Sequence, residues 1–591
     1  MLPSPGRPVF SGAANRGKLS KIERSRNVLG GGYVMGTFIK FGLLTAILIG
    51  VAASRHAAGS TTYGSRVVDP LYKVVPDDDL SSYPAGYAPE VARGEYATWL
   101  VLIRKQSALT GISFEAEQPT MDGKLLPKLR IRYVGMIDVS QFEKKPGKDA
   151  LRPESGKFPD PLFTDPPPSA AAGDLLELWV DVKIPADADP GAYRGNLIAH
   201  LNAGGKSGTE AIPLNLKVYS ATVGRPDFLL SQTFYPGIGL TAGPTSPPAQ
   251  ADAYFGRLKA YAEDLASHGE RVLRVSPFSF TAVKPDGSYD FSMFDRFVQV
   301  FRDSGSADMI QGGALGARSG GWVSDYDANV STAQTGPLVT HKMPADSEEA
   351  KTFFASFLPA LINHLKEKGW LQYYIQDIGD EPIPENVASW NRLKAYADQY
   401  EPGVPTFVTE PDRMVVDLAT VNCPVLNSLD KDSGEWAPIL HQHGRTFWFY
   451  VANGTQGEYA NRFIDQPLMK VRVIPWIGFS CGAKGFLHWG YNSWYTTKGD
   501  PLTTPNVDPS VPPGDPWIVY RGAAGPIDSI RWEQTRDGMD DYVLLSIAAT
   551  KDAAESRDLC KEVVRSFSDY DTSVEDFRGV RHKLLEFDSR S

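Results

Sequence analysis

From about Asp227 onward the chain alternates short apolar runs with longer amphipathic ones, and this rhythm restricts the fold more than any other feature. FLLSQTFYP (228–236) reads as a strand. The segment near Ala249 to His268 then sets Tyr254, Leu258, Tyr261 and Leu265 on one helical face, with Gly269 as its stop. RVLRVSPFS (271–279) and MIQGGALGA (309–317) are the next strands, followed by a long Gly/Ser/Asp-rich loop. A helix is predicted from about Ser347 to Lys368, with Pro359 expected to kink it. The fourth strand runs up to IGDEP (378–382), and the helix after it carries Trp390, Leu393, Ala397 and Tyr400. PTFVTE (405–410), CPVLNS (423–428), FWFYVANG (447–454) and KGFLHWGYNSW (484–494) complete the strands, and a helix near Glu533 to Ala549 follows. Strand–helix alternations of this number, roughly eight over about 320 residues, predict a (β/α)8 TIM barrel. A doubly wound sheet is the alternative. It would usually carry a Gly-rich phosphate loop after strand one, and YPGIGLTAG is a poor match.

Ahead of this region, from about Glu95 to Tyr219, the pattern is strand-like. Leu129, Ile131 and Tyr133 alternate with polar residues, and LLELWVDVKIP (175–185) leads to a turn at Pro190-Gly191. The Pro-rich stretch FPDPLFTDPPPS cannot form an inner strand and reads as a loop. Short strands with turn punctuation predict a β-sandwich. The expected class is therefore multidomain β plus α/β. The expected segments are an N-terminal extension and signal peptide (1–58), a β-sandwich (59–222), and a barrel catalytic domain with C-terminal helices (223–591).

A chain of 591 residues, 42% hydrophobic and 22% charged, has room for more than one packed core. Its formal charge of −10 and the lack of a basic tract in the globular part exclude nucleic acid as an expected partner. Residues 35 to 58 resemble an export signal: Lys40 precedes the uncharged run FGLLTAILIGVAA, and Val51-Ala52-Ala53 fits a small-residue cleavage site. The long basic stretch before it makes Met35 an alternative start. The expected location is secreted or periplasmic, without stable membrane insertion after cleavage; an uncleaved anchor is the alternative. Cys423, Cys481 and Cys560 are too few and too widely spaced for a disulfide framework or a zinc site, and buried free thiols are expected. No metal or cofactor is expected.

The chemistry points to Asp380 and Glu381, adjacent carboxylates where the fourth strand ends. In barrel enzymes that rim holds the active site, and acids there commonly cleave glycosidic bonds. Glu381 is the candidate acid/base, since a carboxylic acid with a raised pKa can protonate a leaving oxygen near neutral pH. An isolated acid before proline would otherwise be a solvated helix-start residue. Neighbours on a regular strand face opposite sides, a restriction that relaxes past Gly379. Asp377 is a weaker rival or a buried supporting partner. A two-carboxylate retaining enzyme needs a second acid across the pocket. Strand seven, however, ends in Asn453 with no acid before Glu458, leaving only Glu410 and Asp430 as distant candidates. The alternative is substrate assistance, in which a sugar's own 2-acetamido oxygen attacks and two adjacent carboxylates divide the remaining work. The candidate substrate-binding residues on the later rim are Trp448, Tyr450, His488, Trp489, Tyr491, Asn492 and Trp494. About half of the rings should face the pocket and the rest pack the interior, as strand alternation dictates. His488 is expected to be structural rather than catalytic.

Four segments in order resemble glycoside hydrolase family 123, whose known members include β-N-acetylgalactosaminidases: WVDVKIPADADPGAYRGNL (179–197), IGDEP (378–382), GFLHWGYNSW (485–494), and Asp515-Pro516 through Tyr520 to SIRWEQTRDGMDDYVLL (529–545). The resemblance implies a glycan substrate and a retaining, substrate-assisted mechanism. Asp380 would hold the acetamido group, Glu381 would be acid/base, and Trp489, Asn492 and Trp494 would line the sugar site. Arg531, Glu533, Arg536 and Asp537 would form a buried charge network. Tyr520-Arg521-Gly522 departs from the Tyr-Pro-Gly often found there. Two alternatives are a two-carboxylate glycosidase on a non-acetamido sugar using Glu410 and a non-catalytic carbohydrate-binding protein. The retained acid pair argues against the second.

Overall fold

TWLVLI (98–103) is apolar at nearly every position because both faces of its strand are covered. Trp99, Val101 and Ile103 join one apolar cluster, while Leu100 and Leu102 join another. The computed structural model describes residues 63–590, apart from 106–108, 143, 153, 166–168, 171–173, 204–205, 239–247, 412–417, 432–439, 441–442, 495–499 and 506–510. These residues belong to one compact unit, Ser60–Ser591. The expected export signal and its cleavage point at Ala53 lie outside the described residues. Among the described residues no helix is long and apolar enough to cross a membrane.

The N-terminal region is strand-rich. One antiparallel sheet orders Tyr63–Val68, Tyr96–Lys105, Leu175–Lys183, Arg130–Val139 and Gly156–Phe163. A second orders Glu90–Arg93, Lys206–Thr222, Gly191–Ala203, Leu109–Ala116 and Ser169–Ala170, with only its first pair parallel. Leu178 and Val180 from the first sheet share a cluster with Leu197, Leu214 and Leu216 from the second. The Pro-rich stretch corrects the sequence reading: Gly156–Phe163 is a strand, not a loop. It holds Pro159 and Pro161 because it is the last strand of its sheet, where proline's missing donor is tolerated. Its outer edge is met by the later chain, with the Leu162 N–H donating to the Asp528 carbonyl at 2.8 Å.

Eight parallel strands follow in chain order: Leu229–Gln232, Val272–Val275, Met309–Gly312, Tyr374–Asp377, Thr406–Glu410, Val421–Pro424, a seventh in two pieces (Thr446–Phe447 and Phe449–Tyr450), and Gly485–His488. Strands two to six and the first piece of seven form one sheet, while the second piece of seven, strand eight and strand one form another. Parallel bridges Leu230↔Glu270 and Val425↔Tyr450 connect the two sheets. Side chains alternate as the two-residue period requires. Val272, Ile375, Phe407, Val421, Trp448 and Leu487 share one small cluster, whereas Leu230, Leu273, Ile310, Val408, Phe449 and Phe486 join the large core with the helices.

Helices Pro248–Ser267, Ser292–Ser304, Glu348–Glu367 and Val387–Tyr400 follow the first four strands. Gly269 sits at φ +86° past the first, as its role of stop requires. The helix Glu348–Glu367 continues through Pro359. The long loop after strand three is not structureless. It holds a small antiparallel sheet of Gly316–Arg318, Tyr326–Val330 and His341–Pro344.

The helix Ile530–Lys551 is buried on nearly every side, charges included. Arg531 is fully buried and clamps Asp160 of the edge strand with two bonds of 2.8 Å. Arg132 bridges Asp181 at 2.6 Å and Glu533 at 2.5 Å, and Arg536 pairs with Glu533 and with Asp537. The charge network implied by the family resemblance therefore joins the strand-rich region to the helix that follows the parallel strands. Removing one partner of a buried pair leaves the other charge uncompensated, at about 3–5 kcal/mol. Arg531→Met should accordingly lower the urea unfolding midpoint sharply. Arg531→Met combined with Asp160→Asn should recover part of the loss. An unchanged midpoint in the single variant would show that the pair does not hold the two regions together.

Candidate functional site

Strand four is short, and its end is set by glycine. A Cβ at Gly379 would lie 3.0 Å from Tyr326 and 3.2 Å from Trp390, so a larger residue would press these rings apart by a few tenths of an ångström. The Gly379 carbonyl accepts from Trp390 Nε1 at 3.0 Å, and the Asp380 carbonyl accepts from the Tyr326 hydroxyl. Glu381 then takes a left-handed conformation at φ +53°, one of only two non-glycine residues with positive φ among the described residues. Such backbone costs about 1–3 kcal/mol and persists where its surroundings enforce it. Here they do. The Glu381 N–H donates to Thr409 Oγ1 at 3.1 Å, and its carbonyl accepts from Arg318. Thr409 Oγ1 in turn donates to Asp380 Oδ1 at 2.9 Å. One hydroxyl from strand five thus fixes both members of the acid pair.

The two carboxylates differ in surroundings. Asp380 is exposed, while Glu381 is half-buried and accepts a hydrogen bond from the Tyr450 hydroxyl. Burial and then the neighbouring charge of Asp380 raise the Glu381 pKa to about 7, against the opposing effects of the Tyr450 hydrogen bond and Arg318. Behind the pair, buried Asp377 accepts from Arg274 at 2.8 Å and from Gln311 at 3.3 Å. Burial pushes its pKa up, Arg274 opposes this, and Asp380 adds to it. Asp377 is therefore a buried supporting partner. The positively charged Arg274 also lies within electrostatic reach of Asp380 and Tyr235.

The rim residues divide. Tyr450 meets Glu381, and Trp489 is half-buried with its Nε1 donating to Asp515 at 3.0 Å. Asn492 accepts from the Tyr235 N–H at 2.7 Å and donates to the Tyr235 carbonyl at 2.9 Å, so it fixes the end of strand one. Three rings have partners in the interior. Trp448 is fully buried among the strands, 5.6 Å from Phe407, with its ring where a Cβ at Gly485 would stand. Tyr491 is fully buried and donates to Asp264 on the first helix at 2.5 Å. Trp494 packs 6.1 Å from Tyr261 of that helix and donates to the Val519 carbonyl at 3.0 Å. Strand eight ends at His488, so the residues beyond it turn outward between helices instead of continuing the rim alternation.

His488 is fully buried, with Nδ1 accepting from the Gly490 N–H at 3.0 Å and from Arg462 at 2.6 Å. Burial, then Arg462, holds its pKa well below the usual histidine value, so it is neutral and structural. Of the distant acids, Asp430 accepts from Tyr459 at 3.1 Å and from Ser568 at 2.6 Å, which ties it to the C-terminal segment. Glu410 is buried at the end of strand five, beside Thr409. Cys423 and Cys560 are buried free thiols, and Cys481 is half-buried.

Asp264, His268 and Asp528 place ligand-type atoms within 4.8 Å of one another. The two carboxylates are already engaged. Asp264 accepts from Tyr491 and from Trp532 at 3.0 Å, and Asp528 accepts from Arg132 at 2.8 Å. Burial would lower the His268 pKa, but Asp264 raises it to about 10 and keeps the ring cationic. The cluster belongs to the buried charge network, which already supplies the cations that its acids need.

Sequence reasoning missed Thr409, Arg274, Arg318 and Tyr326. An arginine amid the apolar run of strand two was a usable signal for Arg274. Arg318 and Tyr326 come from the segment after strand three, and nothing local in the sequence brings them to Glu381.

The model of the glycoside hydrolase 123 catalytic domain matches residues 251–548. Among solved structures, a family 123 glycoside hydrolase from Clostridium perfringens is similar over 90% of this chain and 97% of its own, with 14% identity and a TM-score of 0.67. A Parabacteroides merdae β-glucuronidase matches over 76% of this chain and 50% of its own, with 10% identity and a TM-score of 0.31. No curated protein matches in sequence. The matched catalytic domain spans half of the chain and contains the acid pair, and the protein accordingly belongs to glycoside hydrolase family 123.

Proposed function

We propose that this glycosidase cleaves β-linked N-acetylgalactosamine, with retention and with help from the substrate's own acetamido group. The carrying observation is the pairing of an exposed Asp380 with a shielded Glu381 whose pKa is raised to about 7. In the first step the acetamido oxygen attacks the anomeric carbon, the glycosidic C–O bond breaks, and Glu381 gives its proton to the departing oxygen. Asp380 holds the acetamido N–H and offsets the positive charge of the cyclic intermediate. In the second step Glu381 takes a proton from water as that water opens the ring at the anomeric carbon. Strand seven ends without a carboxylate, which favours this route over a glycosyl–enzyme ester. The Clostridium perfringens relative is described through glycolipid glycan hydrolysis, and a glycan of that kind is the substrate class proposed here. The scaffold fits the reading. We take the eight parallel strands as a (β/α)8 barrel and the two N-terminal sheets as a β-sandwich packed on it.

If Glu381 is the acid/base, Glu381→Gln should reduce turnover of poor leaving groups by roughly 100- to 10,000-fold, with a smaller effect on an activated aryl glycoside and partial rescue by azide. In the wild type, kcat/KM should fall as pH rises through about 7, because the first step needs protonated Glu381. Tyr450→Phe removes a hydrogen bond that favours the ionised carboxylate, so this limb should move to higher pH. Near-normal activity of Glu381→Gln on natural glycosides, or a limb that moves down in Tyr450→Phe, would reject the assignment.

A thiazoline analogue of N-acetylgalactosamine should inhibit competitively, as it resembles the cyclised intermediate. Asp380→Asn should fold but lose catalysis, while Glu410→Gln should matter far less. Trapping of a 2-fluoro sugar on Glu410, without thiazoline inhibition, would instead favour a two-carboxylate mechanism on a non-acetamido sugar.

We further propose export, on the strength of Lys40 and the apolar run ending at Ala53. The mature protein in its native host should begin near Ser54, and recovery of an intact Met1 or Met35 terminus would exclude cleavage.

A further inference from the structure

The insertion after strand three places an exposed indole beside the acid. Trp322 is 51% exposed, although tryptophan buried in this protein is commonly below a few per cent. It sits between two strands of the small antiparallel sheet, Gly316–Arg318 and Tyr326–Val330. Its segment is held to the chain just after the acid pair, with Asn386 Nδ2 donating to the carbonyls of Trp322 at 3.1 Å and Ser324 at 3.2 Å. Arg318 completes the link. Its guanidinium lies 4.1 Å from the centre of the Trp322 ring and donates to the Glu381 carbonyl. A single side chain therefore separates the ring from the backbone of the proposed proton donor.

We propose that Trp322, backed by Arg318, is the platform for the leaving group, and that this leaving group is a sugar ring. The inference rests on Glu381 acting as the acid, since the aglycone must lie on the proton donor's side of the broken bond. One indole face is covered by the guanidinium, which leaves the other for stacking. The guanidinium is attracted to the electron-rich face of the indole, and this contact fixes the tilt of the ring. The surroundings are polar: Ser319, Ser324 and Asp325 flank the ring in sequence, and Lys342 donates to the Arg318 carbonyl. A single aromatic surface inside a polar rim suits a pyranose, which offers one apolar face and a belt of hydroxyls. A lipid chain would require a wider apolar surface than Trp322 and its exposed neighbour Val323 provide.

The test compares two substrates that share the cleaved sugar: methyl β-N-acetylgalactosaminide and the disaccharide with galactose as leaving group, with free amino sugar measured by chromatography. Trp322→Ala should lower kcat/KM for the disaccharide about tenfold, the scale of one aromatic stacking contact, and leave the methyl glycoside within about twofold. Trp322→Phe should restore most of the loss. Equal losses on both substrates, or none on the disaccharide, would overturn the proposal. So would a defect confined to a glycolipid presented in phosphatidylcholine vesicles, which would assign the ring to a lipid surface. If the wild-type protein cleaves neither amino-sugar substrate, the reading of the cleaved sugar fails. The same comparison then runs on methyl β-galactoside and a β-linked digalactoside, where the ratio decides the platform on its own.

Discussion

The hydroxyl of Thr409 is the contact on which the catalytic arrangement depends. Adjacent residues on a strand point to opposite sides, so Asp380 and Glu381 can serve one pocket only if the chain turns between them. The left-handed backbone of Glu381 makes that turn, and it is unfavourable unless its amide and carbonyl are both held. Thr409 holds the amide while orienting the Asp380 carboxylate, and Arg318 holds the carbonyl. Strand five and the insertion after strand three thus grip strand four's end from two sides. The acid pair is a property of three segments, not of the GDEP string alone.

That dependence explains how much of the site could be read beforehand. The strand–helix rhythm and the placing of Asp380 and Glu381 at a strand end follow from local apolar periodicity, which sequence displays directly. The environment of these acids does not. Thr409 sits next to last in TFVTE like any strand threonine, and its role appears only when strand five pairs beside strand four. The aromatic rim illustrates the same limit. Tyr450 ends the two-piece strand and Trp448 sits at its break, and it is Tyr450 that bonds to the acid. Tyr491 and Trp494 follow a strand that has already ended, so alternation no longer describes them. Pro159 and Pro161 argued against an inner strand and were compatible with an edge strand, a distinction that depends on sheet order.

The protein handles buried acids in opposite ways, and the contrast shows what lets Glu381 hold a proton near neutrality. Where the helix Ile530–Lys551 meets the strand-rich region, the buried carboxylates of Asp160, Asp181, Glu533 and Asp541 each bond a guanidinium. Burial alone would raise Glu533, but Arg132 and Arg536 outweigh it and hold it well below the usual range. Burial likewise opposes Arg472 and Arg581 at Asp541, and the two arginines still bring it down to about 2. Glu533 and Asp541 therefore stay ionised and cannot deliver a proton near neutrality. At Glu381 the nearest arginine bonds to the backbone carbonyl, and the carboxylate is left with a phenol, a neighbouring negative charge and a shielded position. Burial and Asp380 then prevail, which is the condition a general acid requires. Moving a guanidinium by one residue's reach, from carbonyl to carboxylate, would convert the acid into another member of a structural ion pair. At the turn the Glu381 carbonyl meets Arg318 while its carboxylate meets Tyr450, so one left-handed residue keeps the guanidinium's bond and the acid's bond on separate groups.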